Sequence, residues 1–434
     1  VRLSAVVVCV CLVATAANAA EITRVASSFE PNDPFGMFAD LTYSLTQVQG
    51  KIVREWYQMN DEVDVTELRY KLVEHRIDAD IHLGIYKDLE FHFGLPFIFA
   101  QDREWWFANG TDSTNSTIIN NCLQANGQLV SAPAPPGSAR ACTQTQPLFP
   151  FDPTNGAHSY RSGLGDLTFG LAWAVLNQKK DDAVPTWVLR FDYTAPIAQV
   201  IDPSVPTTPS ERGPVGDKIH RYTFATAISK RIAFADPYFS LHYTLPWRSS
   251  GVYSDCGHPD ASRMAMPQNC LADPAWSYEQ TSTFPPHVGG FIFGAEFNAF
   301  EAANKHQKLA LDIRGSVTYV SEGRYYNEMS DLFGKLLYSS DYVTMSGRIG
   351  LIGHAAEFVH LKVYAELGYT TEHTLTSENI GKDIAQPLNG TVDVTDHPIE
   401  VSPLFDYRID RVGRRFRIQE EFTFRFMAQA SFNF

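Results

Sequence analysis

Several things are scarce in this chain. Past the first twenty residues it has no run of 18 consecutive apolar side chains, which excludes a helical membrane span. Basic residues are in deficit: 35 Lys+Arg stand against 49 Asp+Glu, a net charge of −14. The basic stripe of a nucleic-acid binder is therefore missing, and no nucleic-acid partner is expected. Charged residues of both signs make up only 19%, below the usual quarter or so. Aromatics, by contrast, reach 13%, and a disordered chain needs the opposite balance. Cysteine is rare, at 6 in 434 residues, with Cys9 and Cys11 inside the opening apolar run.

That opening reads as an export signal. Arg2 is the only charge before the apolar run 3–13, and Ala17-Asn18-Ala19 supplies a small-x-small cleavage pattern. The expectation is a cleaved signal peptide over 1–19 and one domain over 20–434. Four cysteines then remain: Cys122 and Cys142 in one irregular polar stretch, Cys256 and Cys270 in another. Export makes disulfides permissible. Two local pairs are the simplest of the three possible connectivities, each bridge contributing roughly 3 kcal/mol in the chain-entropy model. A metal site would want closer cysteine spacing or neighbouring histidines; His258 near Cys256 is the one such neighbour.

What the chain has in abundance is alternation of period two. At the C-terminus Phe422, Phe424, Phe426, Ala428, Ala430, Phe432 and Phe434 share one face, and Glu421, Thr423, Arg425, Gln429, Ser431 and Asn433 share the other. A row of Phe ending on the terminal residue resembles the last strand of bacterial outer-membrane β-barrels. That resemblance implies that Phe432 and Phe434 are read as an assembly signal by the barrel-assembly machinery. Similar alternation predicts about twelve strands: 36–47, 67–86, 88–99, 163–176, 186–197, 219–231, 237–247, 288–300, 308–321, 341–352, 358–371 and 420–434. An even number suits a bacterial barrel with both ends on the periplasmic side. The connections alternate between short (near 86–88, 177–185, 232–236, 301–307, 353–357) and long (48–66, 100–162, 198–218, 248–287, 322–340, 372–419). The fold expected is all-β: a transmembrane antiparallel up-and-down barrel with short periplasmic turns and long extracellular loops, set in outer-membrane lipid and lipopolysaccharide. In lipid every backbone polar group must be paired, so the sheet must close. Tyr43, Trp173, Trp187, Tyr193 and Trp247 near strand ends suit interfacial girdles.

Alternation also assigns an inner face. The side chains expected to line the lumen are Arg76, Asp78, Asp80, His82, Glu90, His92, Asp166, Arg190, Asp192, Glu296, Asp312, Arg314, Arg348, Lys362, Glu366 and Arg425. With Asp40, Glu421 and Arg221 added, ten acids stand against seven bases, which implies a mild cation preference unless the charges pair across strands, as buried charges must. A tight turn at Tyr86-Lys87-Asp88 would set His82 opposite His92, with Asp80 and Glu90 on the same face. Imidazole and carboxylate are ligands for a divalent metal, but an ordinary polar pair is the expectation, so no metal, cofactor or catalytic residue is assigned.

The segment Ser162-Gly163-Leu164-Gly165-Asp166-Leu167-Thr168-Phe169-Gly170-Leu171 resembles the Gly-Leu-Gly-Asp-Leu strand of the phenol-degradation (MetA-type) outer-membrane transporter family. The resemblance covers about ten residues and implies a barrel that admits hydrophobic or aromatic compounds. Glycine in a strand has a structural alternative, a bend or a close backbone approach. The functional expectation is a channel or transporter for passive uptake of a small-molecule solute. Two rivals stand beside it: a structural or adhesive barrel acting through its long loops, and an outer-membrane lipid-hydrolysing enzyme. For the latter, His242 and Thr244 share only an inner face, and no Gly-x-Ser-x-Gly elbow occurs.

Overall fold

The computed structural model describes residues 20–29, 36–58, 61–123, 144–257, 266–271, 276–302, 307–356 and 358–434. The expected signal peptide, His258 and Cys142 lie outside them. Twelve strands form the wall: β1 Met37–Gln58, β2 Asp61–Tyr86, β3 Leu89–Phe107, β4 Leu167–Leu176, β5 Thr186–Ala195, β6 Ile219–Ser229, β7 Ala235–Arg248, β8 Val288–Ala302, β9 Gln307–Val320, β10 Tyr342–Ala356, β11 Val359–Thr370 and β12 Phe416–Asn433. Each pairs antiparallel with its neighbours in chain order, and β12 returns to β1 from Phe38↔Asn433 to Arg54↔Phe416. The barrel is closed. Two further strands add to it, Ala157–Leu164 on β3 and His373–Thr374 on β12.

The apolar half of the alternation faces out. Leu41, Ile81, Phe97, Leu171, Trp173, Phe191, Leu241, Phe293, Ile349, Leu361, Phe424 and Phe432 are exposed along the wall. So continuous an apolar belt is a membrane surface. Outward tyrosine hydroxyls meet histidine Nδ1 atoms in Tyr43–His75 (2.9 Å), Tyr193–His220 (2.8 Å) and Tyr243–His287 (2.8 Å). Such amphipathic groups suit the interface.

Three boundaries depart from the sequence expectation. The segment 48–66 is not a long loop: β1 and β2 stay paired from Gln49↔Lys71 to Gln58↔Asp61. Ile52, Val53, Arg54 and Glu55 are all buried, because loop residues reach both phases of β1, Thr117 and Arg408 at Arg54 and Gly413 at Glu55, so alternation disappears. Likewise β3 runs on to Phe107 after a bulge between Ile98 and Gln101, which moves its inward residues from even to odd numbers. At the other end of the chain, β12 begins at Phe416, before a break at Glu420, whose φ is +50°. The long connections expected at 100–162 and 372–419 are correspondingly shorter.

The Gly-Leu-Gly-Asp-Leu segment is a break in the wall. Strand Ala157–Leu164 pairs with β3 above it, β4 pairs with β3 below it, and Gly165 between them donates its N–H to the Pro96 carbonyl at 2.9 Å. A Cβ at Gly165 would stand 2.7 Å from Pro96 Cγ, so glycine is required there. Above the break the 196–218 connection takes over as neighbour, through Ser162 N–H to Gly213 O and Gly213 N–H to Tyr160 O, both 2.9 Å.

Candidate functional site: the barrel interior

Because side chains alternate across a strand, a wall that is apolar outside is polar inside. A cavity of about 720 Å³ lies within the barrel, bounded by β1–β6 and β9–β12. Of the side chains expected inside, Arg76, Asp78, Asp80, His82, His92, Asp166, Arg190, Asp192, Arg314, Arg348 and Lys362 line it, as do Asp40 and Arg221. Glu90, Glu296 and Asp312 are buried beneath other groups. Glu366 and Arg425 are register partners 3.7 Å apart, outside the lining of this cavity.

The charges are sorted by side. Asp40, Asp78, Asp80, Asp166 and Asp192 outnumber two arginines on the β1–β5 wall: Arg76, bound to Asp78 at 2.7 Å, and Arg190. Arg314, Arg348 and Lys362 stand on the β9–β11 wall. There Asp312 accepts from Tyr238 (2.5 Å) and Arg348 (3.1 Å), while Arg314 donates to the Tyr238 hydroxyl at 3.0 Å. The buried Asp312 carboxylate thus has compensating donors on both oxygens. Thr244 is held by Thr223, 2.8 Å between hydroxyls, on the same inner face as His242.

The segment 20–29 crosses the short-turn end of the barrel, a feature the alternation did not signal. Glu21 Oε2 lies 2.8 Å from Lys362 Nζ, Thr23 is 2.6 Å from Ser229, and Arg24 bonds Ser431 (3.0 Å) and Asn433 while covering the Phe38 ring at 3.8 Å. Ala26 donates its N–H to Glu90 at 2.6 Å, and Ser28 donates to the Lys87 carbonyl at 2.9 Å. These partners lie on strands around the barrel, so the segment stands across its mouth. Burial acts to raise the Glu21 carboxyl, but Lys362, His354 and Arg24 outweigh it and hold the group well below the ordinary carboxylate range. The only sequence cue was a short polar stretch, Glu21-Ile22-Thr23-Arg24, with no alternation of its own.

The long-loop end is filled differently. Ile52, Leu68, Tyr70, Trp105, Phe416 and Ile418 from the barrel pack with Ile118, Leu148, Phe149, Met329, Leu332, Leu375 and Ile409 from the loops into one apolar cluster. Buried ion pairs tie the loops down: Arg324 to Glu378 through two bonds of 2.6 Å, Arg161 to Asp331 at 2.5 Å, and Arg415 to Glu55 at 2.9 and 2.8 Å. Asp255 and Asp410 are buried near Lys335, and burial pushes both carboxyls up to about 7. Cys256 and Cys270 form the expected disulfide, with Cα atoms 5.2 Å apart.

No known family model matches the chain, and no curated relative does. Among solved structures it is similar to the COG4313 outer membrane channel from Pseudomonas putida F1, at 11% identity over 91% of this chain and 95% of that one, with a TM-score of 0.40. It is also similar to a Pseudomonas aeruginosa FadL homologue (9% identity, 91% and 90% covered, TM-score 0.33). A third likeness is to the outer membrane protease OmpT from Escherichia coli (8% identity, 92% and 96% covered, TM-score 0.29).

Proposed function

We propose that the protein is an outer-membrane channel for passive entry of small molecules, with hydrophobic or aromatic compounds as its solute class. The observation that carries this reading is the charge-lined cavity of about 720 Å³ between two closures of opposite chemistry. A polar segment closes the short-turn end, and an apolar cluster fills the long-loop end. Within that cluster Phe149 meets Phe333 edge-on at 4.9 Å and Phe107 lies 4.9 Å from Phe151, so an aromatic solute passing this end would exchange ring contacts of the same kind. Residues 1–19 act as the cleaved export signal, Phe432 and Phe434 as the assembly signal, and outer-membrane lipid and lipopolysaccharide as the surrounding solvent.

The test is single-channel recording of refolded protein in a planar bilayer under a salt gradient, together with uptake of an aromatic solute into vesicles. Small discrete openings with a weak cation preference, and faster aromatic entry than in protein-free vesicles, are expected. A folded barrel that is electrically silent and leaves entry unchanged would overturn the proposal. N-terminal sequencing of protein recovered from outer membranes should begin at Ala20.

A further inference from the structure

The β2–β3 hairpin brings three metal-binding side chains together inside the barrel. Its register sets His82 opposite His92 and Gly84 opposite Glu90. All three side chains point inward, and their ligand atoms lie within 4.8 Å of one another. His82 Nδ1 is 2.7 Å from Glu90 Oε1, and His92 Nδ1 is 3.4 Å from the same oxygen. Glu90 is fully buried and His92 is 7% exposed, yet His92 Nδ1 has no hydrogen-bond partner.

Each ligand is aimed by a group from outside the hairpin. The other nitrogen of His92, Nε2, meets Asp192 Oδ1 of β5 at 2.5 Å. The second oxygen of Glu90 accepts the Ala26 N–H at 2.6 Å. The His82 ring stacks on Phe38 with centroids 4.2 Å apart. Gly170 leaves the space this needs, since a Cβ there would overlap both His92 Nε2 and Asp192 Oδ1. A carboxylate on the far nitrogen of an imidazole is the usual support for a metal-binding histidine, fixing its orientation and raising its basicity.

We propose that His82, Glu90 and His92 bind one divalent transition-metal ion, with Asp192 as a positioning residue. A single proton shared with Glu90 serves the 2.7 Å contact to His82 and leaves His92 Nδ1 with only a long 3.4 Å approach to the same oxygen, whereas one cation serves all three groups. Two imidazoles and a carboxylate suit Zn²⁺ or Co²⁺; Mg²⁺ and Ca²⁺ want oxygen ligands. Tetrahedral bonds near 2.0–2.1 Å separate ligand atoms by roughly 3.3 Å, so an ion would draw together side chains whose ligand atoms already lie within 4.8 Å. Asp40 and Asp80, register partners on the adjoining inner face, add negative charge against Arg190. The second such grouping, Glu21 with His354 and His360, is a natural control: the Lys362 ammonium already stands 2.8 Å from its carboxylate. The site does not depend on what crosses the barrel.

The experiment uses the full chain without a poly-histidine tag, refolded in detergent, stripped with chelator and titrated with Co²⁺ and then Zn²⁺. One Co²⁺ per chain with visible ligand-field absorption, displaced by Zn²⁺, is expected. X-ray absorption of the Zn²⁺ form should show two imidazoles. His82→Ala and His92→Ala should each abolish the absorption, and His354→Ala with His360→Ala should leave it intact. Asp192→Asn should keep the band position while weakening affinity about 10–100-fold. Heat-modifiable gel mobility verifies that each variant is folded. The proposal fails if the wild-type chain takes up no stoichiometric Co²⁺, if its bound Zn²⁺ has no imidazole neighbours, or if uptake follows His354 and His360 instead.

Discussion

Single carboxyls in this molecule differ in how they respond to pH. Asp255 and Asp410 are buried in the loops near Lys335, with pKa values near 7 against an ordinary 3.8. The folded loops therefore hold these protons more tightly than the open chain does. Their contribution is complete below about pH 3.8 and is lost as the pH rises through about 7. Between about pH 5.5 and pH 8 the part of this contribution that is lost is on the order of a few kcal/mol for the two groups together. Glu21 has the opposite sign: its depressed pKa contributes above 4.5, and the contribution is lost only as the pH falls through its folded value. Limited proteolysis of refolded protein should therefore cut the 249–287 and 371–415 connections faster at about pH 8 than at about pH 5.5. Asp255→Asn with Asp410→Asn should flatten that dependence, since an amide keeps the shape and cannot ionise. Gly170→Ala belongs to the same scale. Its methyl group would overlap the His92–Asp192 pair, and the expected loss is on the order of 1–3 kcal/mol in unfolding free energy, read as a lower melting temperature in detergent.

At the scale of elements, the Cys256–Cys270 bridge closes a loop of 14 residues, worth about 3 kcal/mol in the chain-entropy model. Replacing both cysteines with serine should leave the heat-modifiable barrel intact while the 249–287 connection becomes protease-sensitive. Stapling a loop does not stabilise the strand pairs below it. The same split between wall and loops explains what could be read in advance. Where one face of a strand meets lipid and the other meets the lumen, polarity alternates, and all twelve strands were visible from that alone. Trp173, Trp187 and Trp247, expected at the girdles, do face outward. Legibility ended where the two-sided environment ended. Val53 and Arg54 are both buried where the loops close over β1, so neither period nor polarity separates them. The extra residue at Phe99 reverses the phase of β3, placing Arg103 and Trp105 inward, and a bulge has no compositional mark of its own. The pairing of His82 with His92 followed from a tight turn and could be placed from the sequence. The approach of Asp192 to His92 depends on how β3 pairs with β4 and β4 with β5, which no local spacing encodes.

For the whole molecule, the question is what limits passage through a barrel closed at both ends by different chemistry. The segment 20–29 is held chiefly by charge and hydrogen bonds: Glu21 to Lys362, Arg24 to Ser431 and Asn433, and Ala26 to Glu90. The loop cluster is held by burial of apolar side chains together with bridged arginines. Such polar contacts are individually worth about 1 kcal/mol net, because unfolding exchanges them for bonds to water. Apolar burial of large side chains is worth about 1.5–3 kcal/mol each. The N-terminal closure is therefore the weaker of the two, and salt should weaken it further while leaving the apolar cluster in place. Glu21→Ala with Arg24→Ala should raise single-channel conductance several-fold in a planar bilayer, with wild-type openings growing more frequent as salt rises. Loss of Asp78 and Asp80 as Asn should then reduce cation preference in the reversal potential of that opened variant, because these groups supply the acidic wall opposite Arg314 and Arg348. If conductance stays at the wild-type level in the doubly substituted chain, the loop cluster sets the resistance. The same recording on a chain with Phe149→Ala, which thins that cluster at its aromatic contacts with Phe333 and Phe151, would then show the larger increase.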